Sequence, residues 1–184
     1  MKLLSSLTSL ILALPIAAQI PQPTAEHVKL AEFTGIWDAT LNYTDTDGKQ
    51  AQSKGAMIRK QPMGSFWLVD KFQAQIMGMQ HIGLGTTGFD PVKKKYVSTW
   101  VDSMSPNLLV TEGTFDKSGK VLTMTGMGPG PDGTPIEHRV ITTIKNKDTH
   151  VMVMSADNPK RRAQPKLTIT YKRRVKAIDK VPGK

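Results

Sequence analysis

The sequence predicts an all-β protein, an antiparallel up-and-down barrel of about ten strands behind one short N-terminal helix. Three observations predict it. β-sized segments recur at regular spacing, near residues 36–44, 50–60, 66–76, 80–89, 95–102, 107–115, 120–127, 135–145, 149–155 and 166–174. Each break between them holds Gly, Pro, Asn or Asp, as in Asp90-Pro91 and Asp116-Lys117-Ser118-Gly119. No break is long enough for a crossover helix, so neighbouring strands must run antiparallel. Strands this numerous have to bury their edges, and closing the sheet on itself does so.

In chain order, residues 1–18 read as a signal peptide. Lys2 supplies the positive end, Leu3–Leu14 the apolar run, and Pro15-Ile16-Ala17-Ala18 the small residues for cleavage. The run falls short of the roughly 20 residues a membrane span needs. An exported protein, periplasmic or secreted, is therefore expected. Thr24 caps a helix of about two turns over Ala25–Phe33, with Glu26 in the first turn, where the helix dipole favours an anion. Gly35-Ile36-Trp37 opens the first strand. Gly83–Ser105 is the clearest hairpin: an extended Gly/Thr-rich strand, an Asp90-Pro91-Val92-Lys93 turn, then Tyr96–Asp102, rich in aromatic and β-branched residues. The last strand alternates Leu167, Ile169 and Tyr171 with Lys166, Thr168, Thr170 and Lys172, so it belongs to the barrel domain, which spans 24–174. Residues 175–184 have too few apolar side chains to pack and are expected to form a basic, mobile tail.

Charge is unevenly placed. Of 25 Lys and Arg in the chain, 15 lie in residues 1–159 against 14 acids; 10 lie in residues 160–184 against Asp179 alone. The basic end is expected to be solvated or to touch an anionic envelope surface weakly. Nucleic acid is an unsuitable partner, because the basic run carries one aromatic, Tyr171, for base stacking. The chain has no cysteine, which removes disulfides, thiol catalysis and Cys-based metal sites.

Catalytic motifs are missing. There is no Gly-x-Ser-x-Gly elbow, and the four histidines have no HExxH spacing. An enzyme is disfavoured and no cofactor is implied. Asp45-Thr46-Asp47-Gly48 lacks the spread of ligands a calcium loop needs and reads as a hairpin turn. Two trios, Met77/Met79/His81 and His150/Met152/Met154, put two thioethers and an imidazole at every second residue, a ligand set for Cu(I). Methionine as flexible apolar filler accounts for the same pattern.

Several stretches together resemble the bacterial DUF1579 family. They are Glu26-His27 through Trp37, Lys54-Gly55, Met77-Gly78-Met79, Gly83-Leu84-Gly85, Thr87-Gly88-Phe89-Asp90, Lys93–Trp100, Asp102–Ser105, Glu112-Gly113, Asp148-Thr149-His150 and Ile169-Thr170-Tyr171. The resemblance implies a calycin-like, lipocalin-like barrel and carries over no catalytic residue. It also implies that Trp37 packs across the barrel floor against a basic residue of the last strand, Arg173 or Lys172.

Such barrels mostly bind small apolar or amphiphilic molecules, so a small, largely apolar ligand inside the barrel is the expected partner. The alternative is a scaffold protein of the envelope that uses its outer face and basic end. For the ligand wall the sequence offers Tyr96, Ser98, Trp100 and Asp102, which share a strand face by period two. Glu112 is a candidate on the next strand with Leu108, Val110 and Thr114. Trp67 is another, with Val69, Lys71 and Gln73, in competition with the opposite face of Phe66, Leu68, Asp70 and Phe72. The pattern does not fix which face points inward.

Overall fold

The computed structural model describes residues 20–44, 47–130, 133–157 and 166–174. Ten strands form one closed barrel: β1 (Gly35–Thr44), β2 (Gln50–Met63), β3 (Trp67–Ile76), β4 (Met79–Asp90), β5 (Lys95–Asp102), β6 (Ser105–Phe115), β7 (Val121–Pro129), β8 (Pro135–Asn146), β9 (Thr149–Asp157) and β10 (Lys166–Arg173). Every strand pairs antiparallel with its sequence neighbours, and β10 returns to β1. The expected up-and-down barrel is therefore the fold. β2 runs past Lys60 through Gln61-Pro62, where a break was expected. Pro62 has no N–H to give, and the strand absorbs it as a register shift between Lys60 and Met63.

A six-residue helix, α1 (Ala25–Leu30), and one further 3₁₀ turn (Ala31–Phe33) precede the barrel. They close one end of it. Leu30 and Phe33 point into the barrel and are buried with Leu68, Tyr96, Leu122 and Met124. His27 is buried too; its Nδ1 accepts the Thr24 backbone N–H at 3.1 Å, and its ring meets Phe66 and Phe89 edge-on. The helix is too short to be stable alone. These tertiary contacts hold it, together with the Tyr96 hydroxyl, which donates to the Glu26 carbonyl at 3.1 Å.

The floor is built around Trp37, as the resemblance implied. Its indole N–H donates to the Phe33 carbonyl at 2.9 Å. The Arg173 guanidinium lies 4.1 Å from the Trp37 ring centroid, a cation–π contact. Arg173 also donates to the carbonyls of Thr34, Glu32 and Lys147. Gly35 makes this possible. Its φ is +127°, and a Cβ there would stand 2.6 Å from an Arg173 nitrogen. Lys172 faces solvent, so Arg173 is the partner. A second core cluster (Trp37, Ala39, Leu41, Met57, Phe72, Ile169 and Tyr171) seals the seam between β1 and β10.

Odd-numbered strands run from the helical floor to the opposite end, the mouth, and even-numbered strands return. The chain thus leaves β9 at the mouth and β10 at the floor. The segment expected to be a signal peptide (1–18), the basic stretch containing Lys160-Arg161-Arg162 and the expected tail (175–184) lie outside the described residues, as do Asp45 and Thr46 of the first hairpin turn.

Candidate functional site

Period-two alternation gives each strand one inward set, and the barrel does not fill the space between them. A cavity of about 430 Å³ remains above the floor. Leu41, Met57, Phe72, Leu122, Met124 and Ile169 make much of its wall apolar, while Thr87, Ser98 and Thr111 form a belt of hydroxyls at mid-height on β4–β6. Further polar groups stand at its two ends.

At the floor stands a buried charge cluster. Arg59 of β2 is 9 % exposed. Its Nε donates to Asp70 Oδ2 of β3 at 3.2 Å, and its Nη1 lies 2.6 Å from Nε2 of His150 on β9. His150 stacks on Tyr171 with ring centroids 4.7 Å apart and meets Trp37 edge-on at 4.5 Å. Burial, reinforced by the positive charges of Arg59 and Arg173, pushes the His150 imidazole down to about 2. It is therefore neutral, and its Nε2 accepts from Arg59. Burial raises the Asp70 carboxyl above the ordinary aspartate range, while the neighbouring Arg59 pulls the other way. The second carboxylate oxygen, Oδ1, is buried and accepts no hydrogen bond.

At the mouth, Trp100 Nε1 donates to Asp102 Oδ2 at 3.0 Å. His81 Nε2 lies 3.7 Å from the same oxygen, beyond hydrogen-bond reach. His138 Nε2 is 3.1 Å from the Pro129 carbonyl. Both nitrogens of His81, and Nδ1 of His138, are buried without a partner. The Trp100 ring lies flat on the inner face of β4. Cβ atoms at Gly83 and Gly85 would stand 2.1 and 2.9 Å from it. This is why a Gly-x-Gly pair faces the tryptophan on the paired strand.

Of the six residues proposed from sequence for the ligand wall, Tyr96, Ser98, Trp100 and Asp102 point inward. Ser98, Trp100 and Asp102 reach the cavity. Tyr96 lies below it, packed on Phe89 and Phe115 at the helical end. Trp67 and Glu112 are corrections: both face outward. β3 turns Leu68, Asp70 and Phe72 inward, which leaves Trp67 outside, its ring over Gly88. β6 turns Leu109 and Thr111 to the cavity. Glu112 then meets Lys93 and Lys95 in solvent at 3.0 and 2.6 Å. The copper arrangement required both Met/His trios to face one space. Met77 (φ +51°) and Met79 are exposed at a turn, and the accepting nitrogen of His150 is taken by Arg59. Among the described residues no three His, Asp or Glu side chains converge as a metal site.

The floor cluster was not singled out from the sequence. Its signal was present: Asp70 interrupts the otherwise apolar inward face of Leu68 and Phe72, and Arg59 follows Met57 on the same face of β2. A charge on an apolar strand face has to be paired with another or exposed.

A family model described as "Protein of unknown function (DUF1579)" matches residues 22–173. The chain belongs to the DUF1579 family. No curated protein matches it. Among solved structures, the DUF1579 barrel is similar to Rv2717c from M. tuberculosis, with 12 % identity and a TM-score of 0.60, over 83 % of this chain and 99 % of that one. It is also similar to the S-type phycobiliprotein lyase CPES from Guillardia theta, with 9 % identity and a TM-score of 0.52, over 83 % and 99 % of the two chains. At these identities the likeness is one of fold.

Proposed function

We propose that this DUF1579 barrel is a non-enzymatic carrier or sensor that holds a small, largely apolar molecule in its interior. The observation that carries this reading is the cavity of about 430 Å³ with a largely apolar wall, a belt of hydroxyls on one side and polar groups at both ends. A barrel of this strand number can fill its interior with side chains or hold one small ligand. A volume of roughly 300 Å³ or more is the range in which small-molecule sites fall. Glycines at 83 and 85 set Trp100 flat against the wall rather than across the lumen. The N-terminal apolar run of residues 3–14 supports export, so the ligand would be met in the periplasm or outside the cell.

Native mass spectrometry of the protein purified from its own host tests the reading. A bound small molecule that is released on unfolding supports it. Bare mass from the host, together with no uptake of a neutral apolar dye such as Nile red, would remove it.

A second reading, an envelope scaffold that works through its outer face, draws on a different observation. Ile82, Leu84, Val101, Leu108 and Val110 are each more than a third exposed on β4–β6.

A further inference from the structure

The floor of the cavity is polar in a way that the fold does not use up. Arg59 directs Nε to Asp70 and Nη1 to His150, and its guanidinium lies 4.9 Å from the Tyr171 ring centroid. That leaves Nη2 without a hydrogen bond among the described residues. Asp70 spends Oδ2 on Arg59, and Oδ1 accepts nothing. Both side chains line the cavity, and Oδ1 is buried at its wall, so a ligand donor meets it after a small turn of the carboxylate. A buried polar atom left unpaired is costly unless water or a ligand meets it. Here an unused donor and an unused acceptor belong to one ion pair, beneath a largely apolar cavity.

We infer that the cavity selects an uncharged amphiphile that enters polar end first, its hydroxyl or primary amide accepting from Arg59 and donating to Asp70 while its alkyl body lies along the largely apolar wall. This rests on the carrier reading above and names its ligand class. Charge complementarity decides the neutrality of the end group. Arg59 and Asp70 cancel, and His150 is neutral because it accepts from Arg59. A carboxylate at the floor would face Asp70, and an ammonium would face Arg59. Either brings an uncompensated charge into a buried site. An end group that only accepts, such as an ether, leaves Asp70 Oδ1 as it is.

Displacement of Nile red from the folded protein near neutral pH separates these cases. The four probes are decanol, its isomer methoxynonane, decanoate and decylammonium. Decanol is expected to displace the dye at about tenfold lower concentration than each of the others, the change produced by one hydrogen bond to a charged group. Asp70→Asn leaves Arg59 uncompensated and is expected to move the preference to decanoate by about tenfold; Arg59→Gln is expected to move it to decylammonium. If either variant fails to fold, the wild-type series decides. A wild-type protein that prefers decanoate would overturn the inference, because Arg59 would then act as an anion anchor. Equal affinity for decanol and methoxynonane would also overturn it, since the polar end would not reach the floor. In both of those outcomes the cavity still binds, so the carrier reading stands. No uptake of Nile red and no binding of any probe would sink both.

Discussion

His150 ties the stability of the barrel to pH, and the size of the effect follows from its surroundings. The imidazole is held neutral in the folded protein, its value pushed from 6.5 down to about 2 by burial and by the charges of Arg59 and Arg173. The unfolded chain has no such constraint. The folded value is depressed, so the sign is fixed. Above about pH 7.5 the histidine is neutral in both states and costs nothing. As pH falls through 6.5 the unfolded state takes up a proton that the folded state refuses, and stability is lost steadily until about pH 2. At pH 5, about 1.5 units below the unfolded value, the loss amounts to about 2 kcal/mol. With a urea slope of roughly 1–3 kcal/mol/M, the denaturation midpoint should drop by about 1 M between pH 7.5 and pH 5. His150→Gln keeps an acceptor for Arg59 but does not titrate. Urea titrations of both proteins at the two pH values measure the difference in slope. The variant should lose about 2 kcal/mol less than wild type over that interval. Parallel pH dependence in the two proteins would refute the argument, because His150 would then protonate inside the fold.

Three further outcomes are expected. Gly83→Ala drives a methyl group onto the Trp100 ring, 2.1 Å away, and should cost about 1–3 kcal/mol with an altered near-ultraviolet dichroism; an unchanged spectrum and midpoint would show that the ring does not lie on β4. Arg173→Met removes the cation over Trp37 and the donors to three carbonyls and should cost about 2–4 kcal/mol, and Arg173→Lys should not restore it, because an ammonium lacks the planar fork; full rescue by lysine in thermal unfolding would sink that account. Burial pushes the Tyr171 phenol from 10 up to about 12, so the unfolded chain ionises first and stability should fall as pH rises from 10 towards 12; Tyr171→Phe should flatten that fall in alkaline denaturation, and an unchanged curve would count against it.

The strand pattern of the barrel was legible in the chain because its determinants are local. Turn residues recur at every break and no break can hold a crossover, so neighbouring strands had to be antiparallel; closure into one barrel rather than a two-sheet sandwich is what the structure decides. The floor was legible only through the family resemblance, which set Trp37 against Arg173 or Lys172; the structure selects Arg173 by its cation–π contact and the +127° φ of Gly35. Period two also placed Ser98, Trp100 and Asp102 on one face. It could not say that this face was inner, nor that Trp67 and Glu112 lay on outer ones, because a strand with apolar residues on both faces reads the same either way up. β3 shows the difficulty: Trp67 and Val69 compete with Leu68 and Phe72, and only closure of the sheet over the helix selects the second pair. Arg59, Asp70 and His150 come from β2, β3 and β9, the first and the last 91 positions apart in the chain. Nothing local joins them. Closure of the barrel brings them onto one floor, and with them the unpaired oxygen of Asp70, buried at the wall of the cavity.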